Sequence, residues 1–149
     1  MSLPLATRVV VRLLVGIEIF GAASALVGAI LAIAVNGAGV PLVYLANSPF
    51  ASFAVPGLIL GVVVGGTQTV AAVALIRRTR VALLLAAIAG FGMLIWIFAE
   101  LAIIRHYSWL QAVYFAHGGL ELLCVLALLG IAPALATPLQ DSDRRVDVE

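Results

Sequence analysis

Four apolar segments, at about residues 9–35, 57–76, 81–104 and 110–132, constrain what this chain of 149 residues can become. A helix crossing a hydrocarbon layer of roughly 30 Å needs about 20 consecutive apolar residues, and each segment reaches or approaches that length. Inside lipid the backbone finds hydrogen-bond partners only in a helix or a closed barrel. Composition agrees: 64% of the residues are hydrophobic and 10% charged, with a mean hydropathy of +1.24, against roughly 25% charged in a soluble domain. The expectation is an all-α membrane protein, with four antiparallel transmembrane helices forming a bundle within residues 1–137 and a polar, disordered tail at 138–149.

Arginine placement orients the spans. The chain has eight basic residues, all arginine, and Arg8, Arg12, Arg77, Arg78, Arg80, Arg144 and Arg145 fall on one side. Only Arg105 falls on the other, so both termini are expected in the cytoplasm. The first span begins like a signal peptide, with arginines ahead of it and Ala32-Ile33-Ala34 near its end. Its apolar run far exceeds the roughly 7 to 15 residues of a signal core, which predicts an uncleaved helix. The loop after it carries no charge and is expected at the outer interface, where His106, Tyr107 and Trp109 form a polar, aromatic belt. Pro56 and Gly57 open the second span, as suits proline in a first turn. No internal repeat of the kind that builds transporters is evident in the two halves.

Several function classes are disfavoured. A formal net charge of +1 leaves no basic surface for phosphates, so no nucleic-acid partner is expected. Cys124 is the only cysteine and lies in an apolar run, which excludes an intrachain disulfide or a CxxC motif. Two histidines, with one His-x-x-x-Glu spacing at His117 and Glu121, do not supply a di-iron site, structural zinc or bis-histidine haem, so neither cofactor nor metal is expected. Hydrolase signatures of the GxSxG or HExxH kind are missing.

The informative residues are the polar ones inside the spans. Four of the seven acidic residues lie in the tail; the other three, Glu18, Glu100 and Glu121, each fall in a different helix. Ionisable groups there are costly, normally face the protein interior, and form a default functional-site hypothesis. At about 1.5 Å per residue, Glu121 and Gln68 lie roughly 16 Å below the outer end and Glu18 roughly 15 Å from the inner end, a single midplane layer. Glu100 and His117 sit nearer the outside, at about 7 to 11 Å, where Arg105 can turn inward to neutralise Glu100. His117 and Glu121, four residues apart, share a face and link the two layers. Three readings stand for this set: a structural hydrogen-bonded seam, a proton or ion path, and a cofactor or catalytic site. Gly57, Gly61 and Gly65 make two overlapping GxxxG motifs, predicting close packing against another helix of this chain or of a second copy. The small faces of Gly21, Ala25 and Gly28 and of Ala82, Ala86 and Gly90 are suitable partners.

Ser48-Pro49-Phe50, the run from Pro56 to Leu60, Trp96 with Glu100, Ser108-Trp109-Leu110-Gln111, Tyr114-Phe115 and Gly118 occur in an order that resembles a group of small four-helix bacterial membrane proteins of uncharacterised function. The resemblance spans about residues 16–130 and implies a fold but no reaction. In that group the position of Glu100 holds Glu or Gln and His117 is not fixed. The lysine-free, Ala-, Val- and Leu-rich composition suits a GC-rich bacterial genome. The expected function is that of a non-enzymatic, multi-pass protein of a bacterial plasma (inner) membrane. It would be surrounded by the lipid bilayer and act as a homo-oligomer or as an accessory subunit of a larger membrane complex, holding a hydrophobic or lipid ligand beneath the outer loop. The alternatives are a small proton-coupled transporter or channel using the intramembrane carboxylates, and a membrane enzyme or redox subunit.

Overall fold

The computed structural model describes residues 5–130, and among these every regular element is helical. Four helices are long and apolar enough to cross a membrane. They are α1 (Leu5–Ala34), α2 (Ala54–Ile76), α3 (Ala82–Ile104) and α4 (Trp109–Leu128). α1 packs against α2 and α4, and α3 packs against the same two. Gly57 faces Ala32, Gly65 faces Ala25 and Gly21 faces Gln68, so α1 and α2 run side by side in opposite directions.

The helix ends follow local chemistry. α2 begins at Ala54, not at 57, because Pro56 sits within the first turn, where its missing N–H leaves no bond unmade. α4 stops at Leu128 rather than running to 132: Gly130 takes φ 72 and its N–H donates to Ala127 O at 3.2 Å, a left-handed stop that the apolar pattern hides. Position 132 and the tail at 138–149 lie outside the described residues. Ser108 caps α4 through a Ser-x-x-Gln box: its hydroxyl accepts from Leu110 N, while Gln111 Oε1 accepts from Ser108 N at 2.9 Å.

α2 is not uniform. Leu60–Gly65 forms a π-helical turn within it, in the run Gly61-Val62-Val63-Val64-Gly65. Such a wide turn leaves carbonyls short of partners, and hydroxyls take them up. Thr67 Oγ1 donates to Val63 O at 2.8 Å, and Thr69 Oγ1 to Gly65 O at 2.7 Å. The turn lies one helical turn before Gln68.

Burial is inverted relative to a soluble domain. Phe20, Ile30, Val62, Ile95, Phe98 and Leu123 are exposed, whereas Glu18, Gln68 and Glu121 are completely buried. Only 28% to 39% of each apolar window is covered by the rest of the chain, so most of the apolar surface faces outward, as lipid requires. Inside, one apolar cluster (Leu14, Ala71, Leu75, Ala86, Cys124, Val125 and neighbours) fills the half of the molecule nearer the arginine-bearing 77–80 turn. A smaller one (Ala25, Val64, Met93, flanked by Leu60, Trp96 and Tyr114) lies towards the other end.

Residues 35–53 cover that second end. A 3-10 turn spans Leu42–Leu45, and Leu45 and Phe53 are buried. Asn36 Oδ1 accepts from Phe53 N at 3.0 Å, tying the exit of α1 to the entry of α2. Tyr44 stacks on His106 of the α3–α4 turn at 5.0 Å between ring centroids.

Candidate functional site

Two polar places emerge. The first is a layer between the two apolar clusters. Gln68 Nε2 donates to Glu121 Oε2 at 3.0 Å, joining α2 to α4. His117 Nε2 stands 3.0 Å from Glu121 Oε1, close enough for an ion pair but not aligned for a hydrogen bond. The imidazole lies against Phe20 and Tyr114, with ring centroids 5.7 and 6.3 Å away. Glu18, completely buried on α1, lies one turn before Gly21, the position at which α1 meets Gln68 and His117. Neither Glu18 oxygen has a hydrogen-bond partner among the described residues, and Gln68 Oε1 has none either.

Gly21 opens the space for this layer. A Cβ placed there would overlap Gln68 Oε1 and stand 2.8 Å from His117 Nε2, so only a glycine lets α1 approach both side chains. On the far side, Gly90 and Gly118 bring α3 and α4 together, with a Cβ on Gly118 falling 3.0 Å from Gly90 O. Ala82, Ala86 and Gly90, the small face of α3, are all buried. Gly57 and Gly61 press α2 onto α1: added Cβ atoms would lie 2.5 Å from Ala32 Cβ and 2.8 Å from Ala29 Cβ. The glycine face is thus occupied by α1 of the same chain.

Apolar clusters flank the layer: Leu14, Ala71, Leu75 and Val125 on the arginine side, and Val64, Met93 and Ala25 towards the opposite end. His117 is partly exposed and lies against Tyr114, which lines the second site. Among the described residues no three of His, Cys, Asp and Glu are placed to share a metal ion.

The second place is a cavity of about 640 Å³ beneath the 35–53 loop, between the ends of all four helices. This is within the range of small-molecule sites, which run to several hundred Å³ with mostly apolar walls and few polar groups. Ser24, Gly28, Leu60, Met93 and Ile97 line its floor, with Trp96, Tyr114, Tyr44, Tyr107 and Trp109 supplying aromatic walls. Among the described residues Glu100 is its only acidic lining residue.

Glu100 is held from α4, not by Arg105. Gln111 Nε2 donates to Glu100 Oε1 at 3.2 Å while its Oε1 completes the α4 cap, so one buried amide fixes both the helix start and the carboxyl. Arg105 does not pair with Glu100. α3 ends at Ile104, and Arg105 takes the left-handed conformation at φ 52, which turns its exposed side chain out of the helix line. Trp96, one turn before Glu100 on α3, lines the same cavity. His117 belongs to the Glu121 layer and makes no bond to Glu100.

Gln111 is the site residue that polarity at helix depth does not single out. The Ser-x-x-Gln spacing signals a cap, but its second bond, to a carboxyl on another helix, is a tertiary fact. Gln111→Ala removes both at once, and a loss of about 1 kcal/mol is expected from the cap alone. A thermal midpoint in nanodiscs indistinguishable from the native protein would count against this role.

No family model, curated protein or solved structure matches this chain. Its function must be argued from the two sites themselves.

Proposed function

We propose that the chain is a four-helix bundle of a bacterial plasma membrane, with its arginine-rich ends cytoplasmic, that holds an amphiphilic ligand in the cavity at its outer end. The role is non-enzymatic: a binding or accessory subunit. The observation that carries this reading is the cavity, a space of about 640 Å³ with apolar floor, aromatic walls and a single carboxyl. Arginine placement supports the orientation, and the exposed apolar exterior around buried carboxyls supports insertion.

The same geometry weighs against proton conduction as the first reading. A conducting chain needs polar groups or water at successive depths. Here the Glu18, Gln68, Glu121 layer is bounded by apolar side chains on both sides, and Glu100 belongs to the separate cavity. The layer serves better as a register device, with the Gln68 to Glu121 bond fixing α2 against α4.

Trp96 reports on the cavity from its wall. In a Trp109→Phe background it is the remaining tryptophan. A brominated long-chain alcohol added to the protein in nanodiscs is expected to quench Trp96 saturably. Ser24→Phe, which fills the floor, should abolish saturation. Quenching that rises linearly and identically in both variants would show mere partitioning into lipid and sink the proposal.

A further inference from the structure

Resting on the reading of the cavity as a ligand site, we propose that its ligand carries a cationic ammonium head, seated between Glu100 and the surrounding aromatic rings, on an apolar body.

Charge is the first element. Among the described residues Glu100 forms no ion pair: the one found is that of His117 with Glu121, and His106, which lines the same cavity, is stacked on Tyr44. The amide partner of Glu100, Gln111, is neutral and already shared with the α4 cap. A carboxylate facing a half-enclosed apolar cavity without a counter-charge attracts a cation more strongly than it would in water, because screening there is weaker. It also disfavours a fatty acid or phosphate head at the same point, by like-charge repulsion.

The second element is aromatic. Trp96, one turn before Glu100 on α3, Tyr114 of α4 and Tyr44, which stacks on His106, line the same cavity as Glu100. Aromatic faces carry negative electrostatic potential and favour ammonium groups, quaternary ones especially. A carboxylate and several rings around one cavity end form a cage for such a group. Leu60, Met93 and Ile97 give the floor an apolar surface for the rest of the molecule. The ammonium can come from a lipid, such as an ethanolamine or choline headgroup, or from a free amphiphilic amine.

The test uses the Trp109→Phe protein in phosphatidylglycerol nanodiscs and three brominated probes of one chain length: an alkyltrimethylammonium, an alcohol and a carboxylate. The expected order of saturable Trp96 quenching is ammonium, then alcohol, then carboxylate, with about a tenfold gap between the first two. Because bulk attraction of cations to an anionic disc can mimic this order, Glu100→Gln is the deciding variant. Its glutamine can still accept from Gln111, so the fold is kept. It is expected to lose the ammonium preference, so that the ammonium and alcohol probes quench with equal affinity. A preference that survives Glu100→Gln, or equal affinity for ammonium and alcohol in the native side chain, overturns the inference while leaving the cavity reading intact. Saturable quenching by none of the probes overturns both. Repeating the titration in discs containing phosphatidylethanolamine separates the sources: competition identifies a lipid headgroup, and its lack a free amine.

Discussion

Glu18→Leu is expected to raise the thermal midpoint of the protein, whereas Glu121→Leu is expected to lower it. The two carboxyls share one layer, yet their bonding differs. Glu121 accepts from Gln68 Nε2 at 3.0 Å and stands beside His117, so replacing it strands a buried amide donor. An orphaned buried group costs roughly 1 to 3 kcal/mol. Glu18 is completely buried with both oxygens unpartnered among the described residues, so leucine of similar size removes a polar group that the interior does not compensate. A gain of about 1 to 2 kcal/mol follows from the same reasoning in reverse. Thermal unfolding in nanodiscs, followed by helical circular dichroism, reads both changes. A fall for both variants would mean that Glu18 is bonded within the layer. A rise for Glu18→Leu beside a fall for Glu121→Leu would show that the Gln68 to Glu121 bond, and not Glu18, holds the layer together.

The second large effect concerns the glycines. Gly57→Val is expected to destabilise by roughly 3 kcal/mol, the upper end for overpacking, because an added Cβ meets Ala32 Cβ at 2.5 Å and the Ala29 carbonyl at 3.3 Å. Backbone cannot move aside as a flexible side-chain tip can. Gly65→Ala is the control. Its Cβ would stand at 3.4 to 3.5 Å from Leu26 and Ala25, ordinary contact, so a change within about 1 kcal/mol is expected. If the glycine face served a second copy rather than α1, Gly57→Val would change the oligomeric state while leaving the unfolding midpoint unmoved. Size-exclusion chromatography with light scattering, run beside the melts, separates these outcomes.

What could be read in advance tracks what one-dimensional information can carry. The four long helices were legible because each is a continuous apolar run, and counting residues at a fixed rise brings Gln68 level with Glu121, where the two side chains bond. The helix boundaries were less so: the Gly130 stop looks like one more small residue, and Pro56 inside a first turn looks like a start. The π turn at Leu60–Gly65 leaves no period of its own, because it changes one turn and then lets the α-helix resume. Arg105 and Glu100 are five residues apart and oppositely charged, which invites a pair; the left-handed residue ending α3 prevents it. Gln111 was visible as a helix cap, yet its bond to Glu100 depends on how α3 and α4 dock through Gly90 and Gly118. The cavity itself is a property of four helix ends and a loop together, so its lining could not be assembled from any one segment.

The two sites divide the interior by chemistry. The layer joins α2 to α4 through the Gln68 to Glu121 bond, while among the described residues Glu100 is the acidic side chain that lines the cavity. The most direct measurement of this account is native mass spectrometry of the protein released from its own membrane. The account predicts one retained amphiphile per chain in the native protein and none in Ser24→Phe. A bare native chain, or the same adducts on both proteins, would contradict it.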